Sequence, residues 1–296
     1  MNQVKVDDFL DSLNVKIPSF EKFQKLGDLT ALYQDEKGNF IRLNYERGPL
    51  LYALISKYKP KKVFEIGTAR GYSTLCMAWS MTDNNIHGKI YTIDMRSITI
   101  STEMPIDWGT GKGPTIIHLP VSKLWSKIAP KEWLDHIEFV EGFSGEALEK
   151  KSLSNFDFAF IDGTHFYEGV KHDFFSFLNI ASDRFGVLFD DYISRPQYGV
   201  KKLIDEVVEG NFDTYLIQTD KQKDIMRLNM TLDPKYGMCW IHSNSLKKPL
   251  NEVYSEKEVS EFLLKYRNYE KRLKIRYKLN ETLPFLKNIR FRWWKK

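Results

Sequence analysis

Apolar positions along the chain follow two rhythms. Short runs rich in Val, Ile, Leu and Phe recur, each ending in an acid or a turn. They are Val63-Phe64-Glu65, Lys89 to Asp94, Ile137 to Gly142, Phe156 to Asp162, and Phe185 to Tyr192. Between them the apolar residues return at three- and four-residue spacing. Continuous apolar runs of this length read as strands buried on both faces, and the intervening rhythm reads as helices. Repeated strand–helix units predict an α/β fold with a mostly parallel, doubly wound sheet. Ahead of the first run, Phe9, Leu10 and Leu13 recur at helical spacing, so residues 1–44 are expected to form short helices. Residues 97–136 interrupt the alternation between the second and third strands. Trp108-Gly109-Thr110-Gly111-Lys112-Gly113-Pro114 within them predicts an irregular loop, placed as a lid or substrate wall.

The first strand leads into Gly67-Thr68-Ala69-Arg70-Gly71 and then a helix. Two glycines allow a sharp turn and close approach to a ligand, and a helix start offers unpaired N–H groups. This is a nucleotide-type site at the carboxyl end of a strand. The spacing is not that of dinucleotide-binding proteins, because Ala69 stands where their second glycine falls. Asp94 ends the second strand, 27 positions after Gly67, where an acid accepts hydrogen bonds from ribose hydroxyls.

The pattern Glu65-x-Gly67-x-x-x-Gly71 resembles the first motif of the class I S-adenosylmethionine (SAM)-dependent methyltransferases, and the resemblance spans Tyr45 to His242. It implies a Rossmann-like, doubly wound, seven-stranded sheet, mostly parallel with an antiparallel last strand, carrying N-terminal helices and a basic C-terminal helical tail. Three further stretches resemble the small-molecule O-methyltransferases that include sugar methyltransferases. They are Ile161 to Asp173 (Ile-Asp-Gly-Thr-His-Phe-Tyr-Glu-Gly-Val-Lys-His-Asp) with Leu188-Phe189-Asp190-Asp191-Tyr192, Gly48 to Ile55, and Gly199 to Glu206. One departure is Arg184-Phe185-Gly186, where the group usually has two glycines.

The resemblance assigns cofactor contacts to Glu65, Gly67, Thr68, Gly71, Ser73, Asp94, Ser144 and Asp162. Glu65 would lie near the cofactor's amino end or hold the loop, Asp94 would bind ribose, and Ser144 would meet the adenine. Both Asp94 and Ser144 could instead cap helices. Asp162, Asp190 and Asp191 end adjacent strands about 4.8 Å apart. Carboxylates that close repel one another, and a divalent cation such as Mg²⁺ or Mn²⁺ resolves the repulsion. The alternative is that Asp162 caps a helix and Asp191 binds backbone. His165 is the candidate general base, or a further metal ligand, with Asp162 as its catalytic partner.

The expected activity is methylation of a hydroxyl on a sugar-like small molecule. Two other readings remain: a metal-dependent hydroxylase on the same fold, and a non-catalytic SAM-binding module. The glycine spacing disfavours nicotinamide chemistry. Asp162-Gly163-Thr164-His165 stands where N-methyltransferases carry an Asn/Asp-Pro-Pro-Tyr motif.

Charge adds one feature to the 296 residues. Twelve of the 44 basic and two of the 39 acidic residues lie between Lys265 and Lys296, leaving the tail at +10 and the rest at −5. Leu279, Leu283, Phe285, Leu286, Ile289, Phe291, Trp293 and Trp294 are interleaved there. Such a tail suits an anionic membrane surface, or a helix packed on the domain; nucleic acid is a weaker expectation. Cys76 and Cys239 are the only cysteines, expected as buried thiols in a reducing compartment. With no apolar span and no leader pattern at Met1 to Asp8, the expected location is cytoplasmic, with peripheral membrane contact. The expected division is 1–44, a 45–245 SAM-binding domain, and a 246–296 extension, with a homodimer as one expected assembly.

Overall fold

The computed structural model describes residues 1–151, 153–193, 198–219, 237–247 and 250–282. In chain order it opens with β1 (Asn2–Lys5), α1 (Val6–Leu13), α2 (Phe20–Thr30), β2 (Leu32–Gln34), β3 (Phe40–Arg42) and α3 (Arg47–Tyr58). Next come β4 (Lys62–Ile66), α4 (Tyr72–Asp83), β5 (Lys89–Asp94), β6 (Ser101–Ile106), β7 (Thr115–Pro120), α5 (Val121–Ile128) and α6 (Lys131–Leu134). The second half holds β8 (Ile137–Glu141), α7 (Ser144–Lys151), β9 (Phe156–Ile161), α8 (Tyr167–Leu178), β10 (Ala181–Tyr192) and α9 (Val200–Leu203). It ends with β11 (Tyr215–Gln218), β12 (Gly237–His242) and a C-terminal helix, Glu256–Thr282.

One sheet organises the molecule, in the order β1-β11-β12-β10-β9-β4-β5-β8. All neighbours are parallel except β12, which runs antiparallel to both β10 and β11. The apolar runs sit at its centre because helices cover both faces there: Val63, Phe64, Phe158, Phe160, Val187 and Leu188 have no exposed surface. The strand order reverses between β9 and β4, so the carboxyl ends of β4, β5, β9 and β10 open a crevice at the switch point.

The expected Rossmann-like arrangement is present, with one strand more than expected. β1 pairs in parallel with β11, Asn2 opposite Tyr215 and Lys5 opposite Gln218. Residues 1–44 are therefore not purely helical: β1 extends the main sheet and β2 pairs with β3. Four polar-flanked residues carry too little pattern to announce a strand whose partner lies more than 200 positions away.

Residues 97–136 also differ from expectation. They form the β6–β7 hairpin followed by α5 and α6. The glycine cluster makes the hairpin turn: Gly109, Gly111 and Gly113 all have positive φ, and nothing lies within 4 Å of where their side chains would be. Met104 and Ile106 turn inward with Leu124 and Trp125 to pack on α4. α3 and α4 are buried almost all round, since α1, α2 and this insertion cover their outer faces.

The C-terminal helix lies on α8 through aromatic contacts. Phe262 meets Phe175 edge-on at 5.6 Å, and Tyr266 stacks on His172 at 4.2 Å. Arg195 and the tail residues Leu283, Phe285, Leu286, Ile289, Phe291, Trp293 and Trp294 fall outside the described residues. Among the described residues no helix is long and apolar enough to cross a membrane.

Candidate active site

A cavity of about 440 Å³ opens over the carboxyl ends of β4, β5, β8 and β9. Its floor is the loop after β4. Gly67 has φ +96°, and a Cβ there would sit 2.1 Å from the Asp162 backbone oxygen, so only glycine fits. Gly71 starts α4 at φ +90° against the Trp125 ring. The Trp125 indole N–H donates to the Arg70 carbonyl at 2.9 Å. The insertion thus buttresses the glycine loop from behind; none of residues 97–136 lines the cavity.

Sequence-assigned contacts separate into two groups. Gly67, Asp94, Ser144 and Asp162 line the cavity. Asp94 is set by two backbone donors: Ala69 N–H to Oδ2 and Arg96 N–H to Oδ1, each 2.9 Å. Glu65, Thr68, Gly71 and Ser73 lie beneath or behind the loop instead. Glu65 is fully buried and accepts hydrogen bonds from the Ser73 and Thr74 hydroxyls at 2.5 Å, tying β4 to the start of α4. Burial pushes its pKa up to about 7, against the pull of those hydroxyls. Thr68 shares a hydrogen bond with Thr92. Of the four, only Glu65 lies on a strand, and its side chain points into the protein rather than into the cavity.

Ser144, at the start of α7, has its hydroxyl committed. It donates to Asp173 Oδ1 at 2.6 Å and lies 3.2 Å from His172 Nδ1.

The second half of the site is an acid–imidazole cluster. One ligand atom from each of Asp162, His165 and Asp191 lies within 4.8 Å of the others. His165 Nε2 is 3.1 Å from Asp191 Oδ2 and 3.8 Å from Asp162 Oδ1, with its ring stacked on Tyr198 at 4.9 Å. Burial lowers the imidazole pKa, but Asp162, Asp191 and Asp190 more than offset this, and the net shift is upward. The Asp162 carboxyl is likewise raised, by burial and then by Asp190.

Asp190 does not join this cluster, in contrast to the expected set of Asp162, Asp190 and Asp191. Its two oxygens accept from Asn44 Nδ2 at 2.9 Å each, and Arg47 Nη1 is 3.3 Å away. Consecutive strand residues point to opposite sides. The register of β10 also shifts between Phe189 and Tyr192, where Asp191 adopts a left-handed φ of 57°. That irregularity aims Asp191 at His165 and leaves Asp190 facing α3.

Arg47 is the residue that sequence reasoning missed here. It bridges Asp162 Oδ2 (3.1 Å) and Asp190 Oδ2 (3.3 Å) from the first position of α3. Burial alone would lower its pKa, yet the two carboxylates raise it overall, so it stays charged. A basic residue opening an otherwise apolar helix was the available signal. Asp173 and Glu270 also line the cavity: Asp173 closes the stretch from Ile161 that carries the family resemblance, whereas no local spacing pointed to Glu270 on the C-terminal helix.

The donor set suits a cation. Two carboxylates and an imidazole converge with one ligand atom each within 4.8 Å of the others.

Two family models match the chain. One described as a methyltransferase domain covers residues 64–192, and one described as O-methyltransferase covers 18–106. A Sinorhizobium fredii protein called y4gI is 24% identical over 144 residues, 49% of this chain; the match spans 14% of that protein's length. Cofactor-bound Rv0187 from MTB superposes with a TM-score of 0.50 at 19% identity, over 80% of this chain and 94% of that one. At that identity the likeness is one of fold. The O-methyltransferase TomG from Streptomyces achromogenes, in complex with SAM, gives a TM-score of 0.48 at 18% identity, over the same shares of the two chains.

Proposed function

We propose that the chain, matched over 64–192 by a methyltransferase-domain model and over 18–106 by an O-methyltransferase model, is a class I SAM-dependent methyltransferase that methylates a hydroxyl of a small, sugar-like molecule. The observation that carries this reading is one cavity holding both halves of the chemistry: Gly67 and Asp94 on one side, Asp162 and His165 on the other. SAM bound there supplies an electrophilic methyl group on a sulfonium.

The chain's own residues would do the rest. Gly67 leaves the loop low enough for close approach, and Asp94, oriented by Ala69 and Arg96 N–H groups, accepts the ribose hydroxyls. Thr68, Gly71, Ser73 and Glu65 hold the loop's shape. The acceptor hydroxyl would lie against Asp162 and His165, where neutral His165 takes its proton at Nε2. Arg47 holds Asp162 and Asp190 in place, and positioning of this kind is a large part of catalysis. The O-methyltransferase match over 18–106 and the absence of an amine-type motif at Asp162 support oxygen as the nucleophile.

A second reading is favoured by the close grouping of Asp162, His165 and Asp191. These three would hold a divalent cation such as Mg²⁺ or Mn²⁺, and that cation lowers the pKa of a bound hydroxyl. His165 would then serve as a ligand.

The test is calorimetric titration of SAM into the full chain and into Asp94→Ala. Binding by the wild type, weakened at least about tenfold by the substitution, is expected, since a lost hydrogen bond to a charged group costs about 1.5–3 kcal/mol. Absence of wild-type binding would overturn the reading. A panel of vicinal-diol sugars then identifies the acceptor by methyl transfer.

A further inference from the structure

The cavity lining contains two buried carboxylate oxygens with no hydrogen-bond partner among the described residues: Asp173 Oδ2 and Glu270 Oε2. Both residues are nearly inaccessible, at 3% and 4% exposure, yet both line the cavity. The other Asp173 oxygen accepts a hydrogen bond, and the other Glu270 oxygen lies near a histidine. Ser144 donates to Asp173 Oδ1, and His172 Nδ1 lies 3.6 Å from that atom and 3.8 Å from Glu270 Oε1. A buried acceptor left without a donor costs free energy, and two side by side add repulsion. The arrangement calls for a ligand carrying paired N–H donors.

The position within the cavity says which ligand group this is. The inference rests on the proposed SAM site. With the ribose at Asp94, the sulfonium side of the nucleoside must run toward Asp162 and His165, where transfer occurs. The base, attached at the opposite carbon of the ribose, must then run outward past β5 toward β8 and α7. Gly145 stands at that end, and a Cβ on it would fall 2.9 Å from Glu270 Oε2. The one donor group on the adenine ring is the exocyclic amine, which has two hydrogens to give.

We propose that Asp173 Oδ2 and Glu270 Oε2 accept the two hydrogens of the adenine 6-amino group, making the C-terminal helix a working wall of the cofactor site. Glu270 lies beyond the residues matched by either family model, so this wall is an addition to the shared domain. Ser144 and His172 act as positioning residues, holding the two carboxylates so that one oxygen of each faces the base. Burial pushes the Glu270 carboxyl up to about pKa 6, against the pull of His172 and the Gly145 backbone. A 6-oxo base would present an acceptor to these oxygens and be repelled.

The experiment compares S-adenosylhomocysteine with S-inosylhomocysteine, which share the same charge and length, by calorimetry on the full chain. The wild type is expected to prefer the adenosyl compound by at least tenfold. Glu270→Ala, and separately Gly145→Ala, which crowds the same oxygen, are expected to shrink that ratio toward one. The ratio is insensitive to a general loss of affinity, and an unchanged circular dichroism spectrum identifies folded variants. Equal wild-type binding of the two compounds overturns the proposal while leaving the SAM site intact. So does a ratio unchanged in folded Glu270→Ala. Failure of the wild type to bind S-adenosylhomocysteine at all overturns both.

Discussion

Glu65 is a carboxyl with no exposed surface, held by two hydroxyls, and its folded pKa of about 7 lies well above the ordinary 4.5. The folded state therefore keeps a proton that the unfolded chain releases between those two values. Stability falls as pH rises through that window and is lowest above it. Glu65→Gln removes the effect: relative to wild type it should gain up to ~3 kcal/mol at pH 8.5 and almost nothing at pH 4.5. Denaturant unfolding at the two pH values checks this, and a difference independent of pH would sink the idea. His165 is also shifted upward, by neighbouring carboxylates rather than by burial. Its raised pKa comes from carboxylates that outweigh burial, so the neutral, proton-accepting form appears only above the ordinary histidine range. Methyl transfer should rise with pH through a value above 6.5, and His165→Ala should lose that limb with about 10²–10⁴ of the rate. A flat wild-type pH–rate profile would remove His165 as the base.

Among the elements, the β4–α4 connection is the most constrained. Gly67 cannot carry a side chain, because the atom it would strike is the Asp162 backbone oxygen, which cannot rotate aside. Gly67→Ala must also hold a φ of +96°, at a cost on the order of 1–3 kcal/mol. The variant is expected to melt lower and to lose SAM binding together with the Asp162 geometry. A variant that titrates SAM like the wild type would show that the loop does not touch the cofactor. β10 shows why neighbouring acids part company. Asp190 and Asp191 are adjacent in sequence, yet one faces Arg47 and Asn44 and the other His165. Strand alternation and the irregularity after Phe189 decide which is which.

Across the whole molecule, the site is assembled from segments far apart in the chain: the start of α3, the ends of β4, β5, β9 and β10, and the C-terminal helix. If Asp162, His165 and Asp191 hold a cation, Mn²⁺ should raise the melting temperature of the wild type, by mass action on the folded state alone. The rise should vanish in Asp191→Asn; an equal rise in both would place the cation elsewhere. Much of this was legible in advance. The order of βα units, the glycine loop, and the placing of Asp94, Asp162 and His165 at strand ends follow from apolar periodicity and local spacing, which act within a few residues. What local spacing could not carry was any contact between distant segments. β1 joins β11, Arg47 bridges Asp162 and Asp190, and Glu270 reaches the cavity from the far end of the chain. The sequence alone determined the strand ends that line the cavity, because strand and turn propensities are local. Only the tertiary structure decided which of two adjacent aspartates faces the imidazole and which buried oxygens lack a partner, because both depend on register and packing between parts that never meet in sequence.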